Sequence, residues 1–299
     1  MAGDPSAFRR LLSWGFWTRV WTRVEGDEVF NRSAQLSYYF LLALFPLLLF
    51  LITLFGYFTG AGTRLHDQLI SYLSDVMPSA AVQLVVATID EVTRARGGGK
   101  LSFGLLAALW AASSGMNAIG QALNAAYDVP ETRSWWRVRL ISIALTVALA
   151  LLIISALLIV LYGGPVGHFL AVMVHLGPAF TVTWKILQWP ISLAFVFTGF
   201  SLIYQFAPNA RARRHGKRIP SADYRRRWVS PGVLIAVVLW LLVSLGFRLY
   251  LHFFNSYSAT YGSLGALIIM MLWFYLTGAA ILLGGEINCE WESSDQTLG

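Results

Sequence analysis

Six apolar runs, each more than twenty residues long, follow one another at about 36 to 60, 101 to 124, 140 to 162, 183 to 206, 231 to 254 and 263 to 288 of this 299-residue chain. About 20 residues of helix cross a ~30 Å hydrocarbon core, so runs of this length predict membrane spans rather than soluble domains. Composition agrees, because only 12% of the residues are charged, against about a quarter in an ordinary soluble domain. The expected fold is an all-α integral membrane protein with six transmembrane helices. It divides into a cytoplasmic segment at 1–35, a membrane domain at 36–288 and a cytoplasmic tail at 289–299. A single cysteine, Cys289, leaves no internal disulfide and no multi-thiolate metal site. The N-terminal stretch lacks the apolar core and small-residue site of a cleaved signal.

Sidedness follows from Lys and Arg. Sixteen lie before span one, between spans two and three (Arg133, Arg137, Arg139) and in the basic loop at 207–230; the opposite connections hold only Arg64, Arg94, Arg96 and Lys100. The positive-inside rule then puts both termini in the cytoplasm. The basic loop and a pI near 9.7 could suggest nucleic acid, but juxtamembrane charge is what orientation and anionic headgroups already require, so no nucleic-acid partner is expected.

Flanking amphipathic helices are expected in two places. Trp14, Trp17, Trp21 and Val24 recur at helical spacing, with Arg19 and Arg23 elsewhere on the turn, which suits an interfacial helix with its arginines toward anionic lipid. In the connection at 64–96, two apolar stripes broken by Met77-Pro78-Ser79 predict a helix pair on the outer face. Packing without activity is the plainer reading of both.

Polar residues inside spans are costly and mark candidate sites. Asn117, Gln121 and Asn124 fall at i, i+4 and i+7 of span two, in its cytoplasmic half. Glu286 and Asn288 close span six at the same end, and Tyr38 and Tyr39 open span one there. These seven form a candidate cytoplasmic-side polar site that could cradle a headgroup or relay a proton; interhelical polar glue and a water-facing Glu286 are the alternatives. Toward the outer side, Arg248 and His252 sit one turn apart on span five and Lys185 enters span four, a candidate anion or lipid site unless these side chains merely snorkel. Gly278, Gly284 and Gly285 in span six allow close helix approach, and Pro46 and Pro190 are expected to bend their spans.

The stretches "AQLSYYFLLALFPLLLF", "WAASSGMNAIGQALNAAYDVPETRSWWRVRL", "YQFAPNARARR" and "YSATYGSLGALI" through "GGEIN" resemble the YihY/BrkB family of bacterial inner-membrane proteins, over about residues 33 to 290. The resemblance implies a six-span protein of the bacterial plasma membrane. An old label, ribonuclease BN, follows the family. Its chemistry is not in the residues: His66, His168, His175, His215 and His252 are scattered, without the clustered carboxylate and imidazole ligands that metal-dependent hydrolysis needs. No enzyme activity, metal or cofactor is therefore expected. The expected function is transport or handling of an amphiphilic or anionic envelope component, with membrane lipids as partners and a homo-oligomer open; a non-transporting scaffold or envelope-assembly partner is the alternative.

Overall fold

The computed structural model describes residues 13–59, 100–173, 178–209, 228–253 and 257–296. These form seven helices: α1 (Trp14–Gly26), α2 (Val29–Thr59), α3 (Lys100–Ala126), α4 (Trp135–Met173), α5 (Pro178–Phe206), α6 (Pro231–Phe253) and α7 (Tyr257–Gln296), and no strand occurs among the described residues. Four of the helices contain segments long and apolar enough to cross a membrane: Trp135–Val160, Thr183–Phe206, Pro231–Tyr250 and Leu267–Ser293. The outer-face pair expected at 64–96 and most of the basic loop lie outside the described residues.

The helices overrun the apolar runs. Helix α7 continues to Gln296, through residues expected as a tail, because Cys289 and Trp291 still have a helix to pack against. Pro46 and Pro190 each sit inside one continuous helix.

From α2 to α7 each helix packs on the next, and α7 returns to α2, closing a ring, with α3 also touching α7 across it. Within lipid there is no hydrophobic drive between helices, so close approach must come from small residues and shape. Glycine supplies it at seam after seam. A Cβ on Gly115 would stand 3.2 Å from that of Ala43, one on Gly199 3.1 Å from Leu149 Cδ2, and one on Gly278 3.3 Å from Leu36 Cβ. Aromatic contacts add area, with Phe40 against Phe274 at 5.8 Å and Trp240 against Trp273 at 6.4 Å between ring centroids.

Helix α1 stands outside the ring. Ser13 caps it by accepting from the Phe16 amide at 3.3 Å. Phe16, Val20 and Val24, one turn apart, are its buried face, and Phe16 meets Trp291 edge-on at 6.5 Å. Trp14, Trp17 and Trp21 are exposed. The described start and end of the chain therefore meet at one end of the bundle.

Candidate functional site

That end is built around a carboxylate. Glu286 lies two residues after Gly284, where α7 runs tightest against its neighbours, and none of its surface is exposed. Its Oε2 accepts from Arg23 Nε at 3.0 Å. The sequence predicts Glu286 to meet Asn117, Gln121 and the tyrosines of α2; instead a guanidinium from α1 takes it. Arg23, expected to face anionic lipid, is turned inward because the buried face of α1 carries it there.

Arg23 serves several acceptors at once. Its Nη2 donates to the Ala126 carbonyl at 2.9 Å, to Asp128 Oδ2 at 3.2 Å and to Cys289 Sγ at 3.1 Å. Asp27 follows one turn later, 3.9 Å from Nη2. Burial opposes the charge on Arg23, but Cys289, Glu286 and Asp128 outweigh it and hold the guanidinium more firmly protonated. Two residues in the left-handed region frame the group, Glu28 at φ 52° and Asp128 at φ 53°. Each ends a helix in a tight turn; the short side chain of Asp128 tolerates that conformation, while Glu28 adopts it without that advantage. One guanidinium thus faces three carboxyl groups. Glu286 Oε1 is buried without a donor. Glu290 extends the seam one turn on, accepting from Arg19 at 2.5 Å.

The remaining candidates divide. Asn124 is buried and ties loops together, its Oδ1 accepting from the Asn209 amide at 2.6 Å and its Nδ2 donating to Glu131 Oε2 at 2.8 Å. Asn288 Oδ1 accepts from the Gly232 amide at 2.8 Å, capping the start of α6. Asn117 and Gln121 line a crevice of about 10 Å³ with Glu131, Arg133 and Ser142, room for about a single water. Tyr38 and Tyr39 are exposed and stack edge-on against each other at 5.7 Å, apart from the Glu286 cluster. At the other end, Lys185 lines an open groove of about 650 Å³ with Ile186, Gln188, Trp189 and Pro190, and Arg248 is exposed. The His252 side chain lies outside the described residues. Among the described residues no group of three or more His, Cys, Asp or Glu could hold a metal ion.

The acids outside the spans set opposite pH responses. Burial, with Asp128 beside it, raises Asp27 above the ordinary carboxylate range despite Arg23 and Arg32. Burial also pushes Glu131 up, but the bonds from Arg133 and Asn124 outweigh it and hold Glu131 low. The Asp27 contribution to stability is full below the ordinary aspartate range and fades as pH rises through its raised value; that of Glu131 is full above the ordinary glutamate range and fades as pH falls through its lowered value. Lowering the pH from 7 toward about 3 should therefore loosen the 127–134 loop while α1 stays docked. Hydrogen exchange that accelerated first in α1 would contradict these roles.

The family model described as "Virulence factor BrkB" matches residues 20–298. A ribonuclease-like protein, YfkH of Bacillus subtilis (strain 168), is 40% identical over 273 residues, covering 91% of this chain and 94% of its own. UPF0761 membrane proteins of Xanthomonas campestris pv. campestris (strain B100) and Xanthomonas axonopodis pv. citri (strain 306) are each 26% identical, over 90% and 93% of this chain. The chain spans 58% and 61% of their lengths. No solved structure matches. The chain belongs to the BrkB family.

Proposed function

We propose that this BrkB-family protein is a six-span protein of the bacterial plasma membrane, with both termini cytoplasmic, that moves or handles an anionic amphiphile of the envelope. The observation that carries the reading is the fully buried Glu286, neutralised not from within the ring but by Arg23 of a helix outside it. Ionisable groups inside a helix bundle are expensive and are retained where they act. On this reading α1 closes the cytoplasmic end of the bundle, and the one-water crevice at Asn117 and Gln121 belongs to the closed state. A scaffold is the second reading, favoured by the exposed indoles of Trp14, Trp17 and Trp21, which suit a headgroup surface or a partner helix equally.

Proteoliposomes separate the two. Glu286→Gln keeps the size and an acceptor, so it should insert and fold but fail to move a fluorescent phosphatidylglycerol between leaflets. Equal rates for wild type, Glu286→Gln and empty vesicles would end the transport reading. Orientation is tested alongside: with Cys289 replaced by serine, Ser221→Cys and Ser258→Cys should label from opposite sides with an impermeant maleimide.

A further inference from the structure

Among the described residues one arginine is buried, and it has no acid. Arg139, one turn into α4, is 9% exposed. Its Nη2 donates to the Trp110 carbonyl, its Nη1 lies 3.4 Å from Ser114 Oγ, and its guanidinium sits 4.0 Å over the Trp110 ring. A guanidinium has five N–H donors, and these contacts use two. Nε is buried with no partner, and among the described residues no carboxylate pairs with Arg139. The contrast stands six residues earlier, where Arg133 is held by both oxygens of Glu131, Nε to Oε1 at 2.8 Å and Nη2 to Oε2 at 2.6 Å. Carbonyl, hydroxyl and ring solvate the Arg139 charge without cancelling it. An uncompensated buried charge is strongly destabilising, so the position favours an anionic partner.

The surroundings say which anion. Trp135 and Trp136 lie one turn before Arg139 on the same side of α4, both exposed, and Trp135 packs on Trp110 at 5.8 Å and on Trp136 at 4.5 Å. Exposed tryptophans in a membrane protein gather at headgroup depth. The Arg139 backbone lies about 6 Å deeper along the axis than that of Trp135, but its guanidinium is stacked on Trp110, which packs on Trp135, so the charge stands at the level of the indoles. Leu106 on α3 and Leu140 on α4 are also exposed beside the cluster, as are Leu151 and Leu157 further along α4. Such a face suits acyl chains.

We infer that the α3–α4 edge at Arg139, Ser114, Trp110, Trp135 and Trp136 is a seat for the phosphate of an anionic glycerophospholipid, with its chains along the exposed leucines. The headgroup phosphate accepts from the Nη1 and Nη2 hydrogens that Ser114 and Trp110 leave open, and the indoles hold the glycerol region. A net-negative headgroup fits better than a zwitterionic one, because it brings no ammonium to face the guanidinium. The seat rests on the chain lying in a membrane and not on transport, so it stands or falls apart from the translocation assay.

The test uses the full chain purified in neutral detergent. Phosphatidylglycerol should raise the thermal midpoint of the wild-type protein more than phosphatidylcholine does, and inorganic phosphate should not reproduce the rise. By native mass spectrometry, Arg139→Gln should retain roughly ten- to hundredfold less phosphatidylglycerol, as expected for loss of a charge-assisted hydrogen bond, and Arg139→Lys should recover part of it. Equal stabilisation by the two lipids, unchanged retention by Arg139→Gln, or a full effect of inorganic phosphate would each overturn the lipid seat. Should Arg139→Gln fail to fold, the wild-type comparison of the three additives decides.

Discussion

Glu286→Leu is expected to destabilise the protein by about 3 to 5 kcal/mol, the range for removing one member of a buried ion pair. The loss comes less from the missing bond than from what stays behind: Arg23, still partly buried beside Ala126 and Cys289, would keep its charge with only the outer acids to balance it. Glu286→Gln should cost less, about 1 to 3 kcal/mol, since an acceptor remains for Nε. The double variant Arg23→Leu, Glu286→Leu should be more stable than the sum of the two single changes, because the leucines remove both charges together. Unfolding in detergent micelles measures all four proteins. Strict additivity would mean that the two side chains do not act as a pair.

A comparable loss is expected from a single methyl group at the α6–α7 seam. Gly284→Ala would set a Cβ against the Tyr204 hydroxyl, 2.7 Å from the Gly232 carbonyl oxygen and 2.8 Å from Ala236 Cβ. Across the seam, a Cβ on Gly232 would press on the Gly284 carbonyl oxygen and stand 2.5 Å from Asn288 Oδ1. Overpacking usually costs about 1 to 3 kcal/mol because flexible neighbours yield. Here one obstacle is the Gly232 backbone carbonyl, and the Tyr204 hydroxyl is held by the Ile281 carbonyl at 2.6 Å, so the upper end of that range or more is expected. Gly246→Ala, with nothing within 4 Å of its added carbon, is the control and should be tolerated. Monodisperse yield on size exclusion reads both. Normal yield of Gly284→Ala would show that the helices can slide apart.

Which parts of this could be read from the chain depends on how local their causes are. The long helices declare themselves through unbroken apolar stretches, and the glycines of α7 mark a tight seam because nothing else explains small residues there. Glu286 stands out because a carboxylate in apolar surroundings is conspicuous. Its partner does not: Arg23 lies 263 residues away in a segment whose arginines all look suited to lipid headgroups. Only the buried face Phe16, Val20 and Val24 turns Arg23 inward, and the tryptophans at 14, 17 and 21 mask that face in the sequence. The three arginines at 133, 137 and 139 are likewise equivalent when counted for orientation. Folding separates them, giving Arg133 an acid and Arg139 none. Asn124 and Asn117 share a helix face, yet loop residues Asn209 and Glu131 claim only Asn124.

The ring of α2 to α7, with α1 docked on its final member, also fixes an order of birth. Translation delivers α1 before α7, so α1 lacks its main docking surface until the final helix is inserted. Through that interval Arg23 has neither Glu286 nor Cys289, Gly232 has no Gly284 to lie against, and the ring stands open at one joint. A nascent chain cut short before α7 would keep every earlier neighbour and still lack its closure, leaving quality-control proteases an open seam to recognise.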